Sequence, residues 1–206
     1  MHMSSSIIIE FLKIFMPLFV VIDPFGSLVL FMSMTSGITQ QKRKLITKDA
    51  VIYGAIILLF FAIAGNEIIY FFGITIVALE FAGGLILLIM GVEMVREGDK
   101  PKSAGGDIEE LDVGIVPFAT PLLAGPGAIS LVIILMKGSL LDDIFTVISI
   151  LILFAIVYIF FHYSEPILRV IGEKVMKAMT RIFGLIVAAF AIQYFLNAIT
   201  LLGFLK

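Results

Sequence analysis

The 206-residue chain contains no cysteine. Disulfides, thiolate nucleophiles and Cys-ligated metals are therefore excluded, and the redox compartment is left open. Charge is scarce too: Asp, Glu, Lys and Arg make up 15% of the residues, against about 25% in ordinary soluble domains. A net charge of −2 offers no electrostatic footprint for nucleic acid. Histidine occurs only twice, and Met1-His2-Met3 reads as a cloning remnant ahead of a natural start at Met3. The first apolar run lacks a basic leader and an Ala-x-Ala-like site, so it reads as a retained span. No Gly-rich loop with its Lys and Ser/Thr is present to cradle a nucleotide, which leaves ATP-driven transport without support. Embedded His clusters, Ser-Lys pairs and Asp-Asp pairs are also missing. No enzyme activity, cofactor or metal is expected.

Apolar sequence is what the chain has in abundance: 61% of residues are hydrophobic and the mean hydropathy is +1.16. A soluble core of this length could not hide so much apolar surface, so lipid must be the solvent for most of it. Runs of about 20 apolar residues occur at about Ile7–Thr35, Ala50–Phe72, Thr75–Val95, Gly114–Met136, Ile144–Tyr163 and Arg181–Phe204. The expected fold is an all-α membrane protein with six transmembrane helices. The first run would be ~43 Å long as a single helix at ~1.5 Å per residue, longer than a ~30 Å hydrocarbon core. It also contains two prolines, so a break is expected near Asp23-Pro24-Phe25-Gly26.

Eleven Lys and Arg fall in the loops after the first, third and fifth runs, against Lys137 and Lys206 on the other side. The positive-inside rule then puts the protein in the cell membrane with both termini outside the cytoplasm. The third loop, with Gly105-Gly106 and mixed charge, reads as a linker over 96–113 between two three-span units, 1–95 and 114–206. The Pro/Gly-interrupted runs are the first and fourth, three spans apart. Setting Pro24 on Pro126 aligns Asp23-Pro24-Phe25-Gly26-Ser27 with Gly125-Pro126-Gly127-Ala128-Ile129. At nearly the same offset, Glu80-Phe81-Ala82-Gly83 falls on Arg181-Ile182-Phe183-Gly184. Units with an odd number of spans must insert in opposite senses. Paired interruptions in such units point to a transporter's binding site.

A broken span frees backbone groups that hydrocarbon cannot satisfy. The half-helix after Pro126 would offer N–H groups to a carboxylate, and the one ending near Thr120 would offer carbonyls to an ammonium. Gly125 and Gly127 would admit a ligand close to the backbone. Ser27, Thr120 and Ser130 are candidate hydrogen-bond donors at the breaks. Asp23 is the carboxylate set deepest in a span, so it is a candidate proton carrier; with Pro24 following, it also reads as a helix cap. Glu80 and Lys13 sit at similar depth and suit an ion pair or separate snorkelling. Gln193 and Asn197 suit interhelical hydrogen bonds, and Gly83, Gly84 and Gly184 suit close helix packing. His162 lacks a metal-ligand companion and reads as interfacial.

These segments resemble the signature motifs of the MarC family of six-span membrane proteins. The run from Pro117-Phe118-Ala119-Thr120-Pro121 through Gly125-Pro126-Gly127-Ala128-Ile129-Ser130 is the closer match. Asp23, Pro24, Gly26, Phe31, Ser33 and Thr35 fit the first motif, while Ser27 and Val29 stand where the family has Asn and Pro. The resemblance covers essentially the whole chain. It implies proton-linked transport of small neutral amino acids such as glycine and alanine, with sodium as the other candidate coupling ion. The implied substrate site spans Asp23, Pro24, Phe25, Gly26, Ser27, Thr120, Gly125, Pro126, Gly127, Ala128 and Ser130. A channel or an exporter of another small solute is the competing expectation, and the oligomeric state is open.

Overall fold

A computed structural model of the chain describes residues 2–96, 114–136 and 139–203. The expected linker, past Arg96, lies outside them, as do Lys137 and Lys206. The described residues are helical almost throughout. In chain order they are α1 (His2–Ile22), α2 (Pro24–Met34), α3 (Gln40–Phe71), α4 (Ile76–Arg96), a π-helical segment (Gly114–Leu123), α5 (Pro126–Leu135), α6 (Leu140–His162), α7 (Ser164–Ile171) and α8 (Glu173–Leu201). Five stretches are long and apolar enough to cross a membrane: Ile7–Met34 (α1 and α2 together), α3, α4, α6 and α8. The sixth expected run is present only in pieces. At 10 residues α5 reaches ~15 Å, and the π-helical segment leads into it.

Several boundaries lie outside the apolar runs that announced them. At 32 and 29 residues, α3 and α8 would be ~48 and ~44 Å long, so their polar first turns project beyond a ~30 Å core. Hydropathy reports where a helix sits in lipid, not where it begins. In α8 the extra turns carry an ion pair between Lys177 and Glu173 at 2.7 Å. The start of α6 is set by a capping box: the Ser139 N–H donates to Asp142 Oδ2 at 3.0 Å, and the Asp142 N–H donates to Ser139 Oγ at 3.4 Å. Gly172, at φ 83°, separates the short α7 from α8.

The π-helical winding has a cause in the sequence. Pro121 has no N–H to offer the carbonyl of Pro117, so the α-helical bond between these positions cannot form. The wider winding appears in the bond that follows: the Ala124 N–H donates to Ala119 O at 2.9 Å, one residue further back than in an α-helix.

The Ile7–Met34 span is the central one, 56% buried against 28–39% for the other four. Around it, α4 and α8 form the tightest crossing. Gly84 faces Ala191 and Phe195, while Gly91 faces Gly184 and Ala188, so the helices run antiparallel. A side chain at Gly91 would begin 2.7 Å from Gly184 O and 2.7 Å from Ala188 N, so backbone meets backbone here. The expected packing role of Gly84 and Gly184 is met at this seam, while Gly83 packs on Ser130 of α5. The buried and exposed positions of 81–94 recur one for one over 181–194. In that register Gly84 corresponds to Gly184 and Gly91 to Ala191, so the two close contacts exchange with each other. Glu80 then corresponds to Thr180, one residue from the alignment expected on Arg181.

Two expected contacts take other partners. Glu80 is buried on α4, within electrostatic range of Tyr194 of α8, whereas Lys13 is exposed on α1. Gln193 and Asn197 bond each other within α8 at 2.9 Å and do not bridge helices, because their shared face is exposed.

Candidate functional site

The chain is interrupted at both expected places. At the first, Asp23 adopts a left-handed backbone (φ 45°, ψ 73°) between α1 and α2, the sole described non-glycine residue with positive φ. Asp and Asn tolerate that region better than other side-chain-bearing residues, because their short polar groups bond locally. The Asp23 carboxylate accepts from the Gly26 N–H at 3.1 Å, and the Thr180 hydroxyl of α8 lies on the same side of Gly26 as the carboxylate. The Ser27 hydroxyl donates to Ile22 O at 3.1 Å, meeting a carbonyl at the end of α1. The break is thus closed by its own side chains, and the expected cap at Asp23 is formed. Gly26 is required: a Cβ there would lie 2.2 Å from Asp23 Oδ2 and 2.9 Å from Thr180 Oγ1.

This geometry makes a stability prediction. Asp23→Ala should cost about 1 kcal/mol for the lost cap and about 1–2 kcal/mol for alanine in left-handed backbone. Asp23→Asn, which can keep both, should melt close to wild type. Thermal unfolding followed by circular dichroism in detergent tests the contrast. Equal melting of the two variants would show that the cap carries no stability.

The second break is built differently. Gly125 precedes α5 in extended backbone (φ −76°, ψ 167°), with no side-chain cap. The first-turn N–H groups of Gly127 and Ala128 thus lack the carboxylate that covers Gly26 in the first break. Gly125, Gly127 and Ala128 are buried, while Pro126 between them is exposed. Val21, two residues before Asp23, would lie 3.8 Å from a side chain at Gly127, so the two breaks meet.

The other candidates divide. Thr120 is half-buried on the π-helical segment ahead of the second break. A Cβ at Gly127 would lie 2.9 Å from Leu87 Cδ2 and 3.4 Å from Met90 Sδ of α4, so its small size serves helix packing. Ser130 packs on Gly83 of α4, and Phe25 meets Phe19 and Phe160 edge-on and Phe183 at a tilt. Pro24 is buried at the first position of α2. Asp23, Gly26, Thr120, Gly125, Pro126 and the N–H groups of Gly127 and Ala128 remain at the paired breaks. Thr180 was not legible as a site residue, because it reaches Asp23 across the fold from a helix start that hydropathy misplaced. Among the described residues no cluster of His, Asp or Glu could hold a metal.

Comparison with known proteins gives a consistent outcome. The profile described as "MarC family integral membrane protein" matches residues 8–202. The UPF0056 membrane protein MJ1677 of Methanocaldococcus jannaschii is 38% identical over 195 residues, covering 92% of this chain and 95% of that one. UPF0056 membrane protein PYRAB13050 of Pyrococcus abyssi is 32% identical over 192 residues, covering 92% and 94%. UPF0056 membrane protein YvbG of Bacillus subtilis is 32% identical over 190 residues, covering 87% and 89%. These names state a membrane location and no substrate. No solved structure matches the chain.

Proposed function

Since the chain belongs to the MarC family of integral membrane proteins, we propose that it is a proton-coupled secondary transporter of small neutral amino acids of the glycine and alanine type. It works by alternating access of two inverted three-span halves about their discontinuous helices. The observation that carries this reading is the difference between two breaks that meet. One helix start is covered by the carboxylate of Asp23, and the corresponding start after Pro126 has no side-chain cap. A substrate carboxylate fits the uncapped start, where free N–H groups and the positive end of the helix dipole converge. The inverted arrangement is supported by the burial pattern shared by 81–94 and 181–194 and by the exchanged contacts of Gly84 and Gly91. The charge count argues for both termini on the extracytoplasmic side, and Asp23 is the group assigned to carry the proton.

Purified protein in liposomes should take up labelled alanine when the outside is acidified. Uptake should saturate, compete with unlabelled glycine and vanish with a protonophore. Flux that never saturates and ignores competitor would instead indicate a channel. Accumulation that follows sodium but ignores the pH gradient would reassign the coupling ion.

A further inference from the structure

Between the paired breaks and the end of the molecule where α2 ends and α3 begins, three phenyl rings pack into one another. Phe31 of α2 stacks on Phe161 of α6 with centroids 4.2 Å apart and planes inclined by 14°. Phe118 of the π-helical segment meets both edge-on, at 5.3 and 6.1 Å. All three are fully buried. Phe31 lies about two helical turns beyond Asp23, and Phe118 a comparable distance before Gly125. The rings therefore lie across both half-helices on one side of the breaks.

Directly outside them is a cleft of about 250 Å³ lined by Arg43, Thr47, Phe161, His162 and Glu165. Arg43 of α3 ties its walls together. Its Nη2 donates to Thr35 O at the end of α2 at 3.2 Å, and its Nη1 donates to and pairs with Glu165 of α7. The tie is incompletely satisfied: the Arg43 Nε is buried with no acceptor among the described residues. Glu165 is exposed at 62%, so its half of the pair is open to water. An incompletely bonded guanidinium that holds α7 only through one exposed carboxylate is a contact suited to exchange, not to permanent structure.

We propose that Phe31, Phe118 and Phe161 form the closed gate of the solute path on this side, that the cleft is its mouth, and that Arg43 is the latch. The assignment of a solute path rests on the transporter reading above. Opening then means release of Glu165 by Arg43, followed by withdrawal of α7 and the Phe161 end of α6 from Phe31 and Phe118. In the proposed orientation this is the cytoplasmic gate.

The absence of native cysteine supplies the test. Ser27→Cys puts a near-isosteric thiol one turn closer to the break than Phe31, and its labelling by a membrane-impermeant charged thiol reagent can be timed from either side. With an intact latch, labelling from the cleft side should be slow. Arg43→Gln, Glu165→Gln or Phe161→Ala, each added to Ser27→Cys, should speed it by about tenfold or more, as expected when a minor open state is raised in population. Labelling from the opposite side should not rise. Unchanged rates in all three variants would overturn the gate, and equal acceleration from both sides would overturn it in favour of general loosening. Three independent variants keep the test decisive if one fails to fold. No solute is needed, so failed alanine uptake refutes the transporter reading without touching this result, and unchanged labelling refutes the gate alone.

Discussion

Gly184→Val should abolish the folded protein. A Cβ at Gly184 would begin 2.7 Å from Met94 Cβ, 2.8 Å from Gly91 O and 3.0 Å from Val95 N. Two of these atoms belong to the backbone of α4, so no rotamer change relieves the clash. The helices would have to separate along a seam that includes Gly84 and Gly91. Overpacking of ordinary cores already costs about 1–3 kcal/mol, and here the loss extends to every contact that close approach permits. Gly184→Ala should be intermediate, because a single methyl meets the same carbonyl. Ala189→Val, on an exposed face of the same helix, should be silent. Size-exclusion profiles and circular dichroism melts of the three variants give the ranking. A monodisperse Gly184→Val protein with wild-type melting would mean that α4 and α8 do not meet as described.

That seam was partly legible beforehand. Gly83, Gly84 and Gly184 announce close packing because small residues on apolar helices have few other uses. Their contacts were not legible: Gly84 meets Ala191 and Gly91 meets Gly184, a correspondence one residue away from the alignment of Glu80 on Arg181. The breaks were legible for a similar reason: proline cannot continue a helix, and it turns the residue before it away from α-helical backbone, as Asp23 and Gly125 both are. The roles around the breaks were not. Gly127 and Ser130 lie in the same motif as Gly125, yet they face α4, and only the direction of each side chain about α5 decides this. Arg43 read as one of many loop cations setting orientation. Its contact with Glu165, 122 positions away, depends on where α7 begins, and an eight-residue helix leaves no hydropathy signal of its own.

The most consequential expectation concerns transport itself. Asp23→Asn should keep the fold and lose uphill uptake. Asparagine tolerates left-handed backbone, and its amide oxygen can accept from the Gly26 N–H as the carboxylate does. What it cannot do is exchange a proton. Thr180 is placed to respond to that exchange: its hydroxyl lies within reach of Asp23 and donates to Met176 O at 3.2 Å. With Asp23 ionised, the hydroxyl proton can turn to the carboxylate. With Asp23 neutral, it can return to Met176 O while Thr180 accepts from the acid. On the transporter reading, the protonation state of the first break would thereby be felt on α8. If one proton accompanies each solute, a gradient of one pH unit sustains about tenfold accumulation, worth about 1.4 kcal/mol. In Asp23→Asn liposomes that ratio should fall to about one, while exchange of labelled for unlabelled alanine continues, since binding and alternation need no net proton. Accumulation of about tenfold in the variant would restrict Asp23 to its role as a cap, and loss of exchange together with uptake would place it in substrate binding instead.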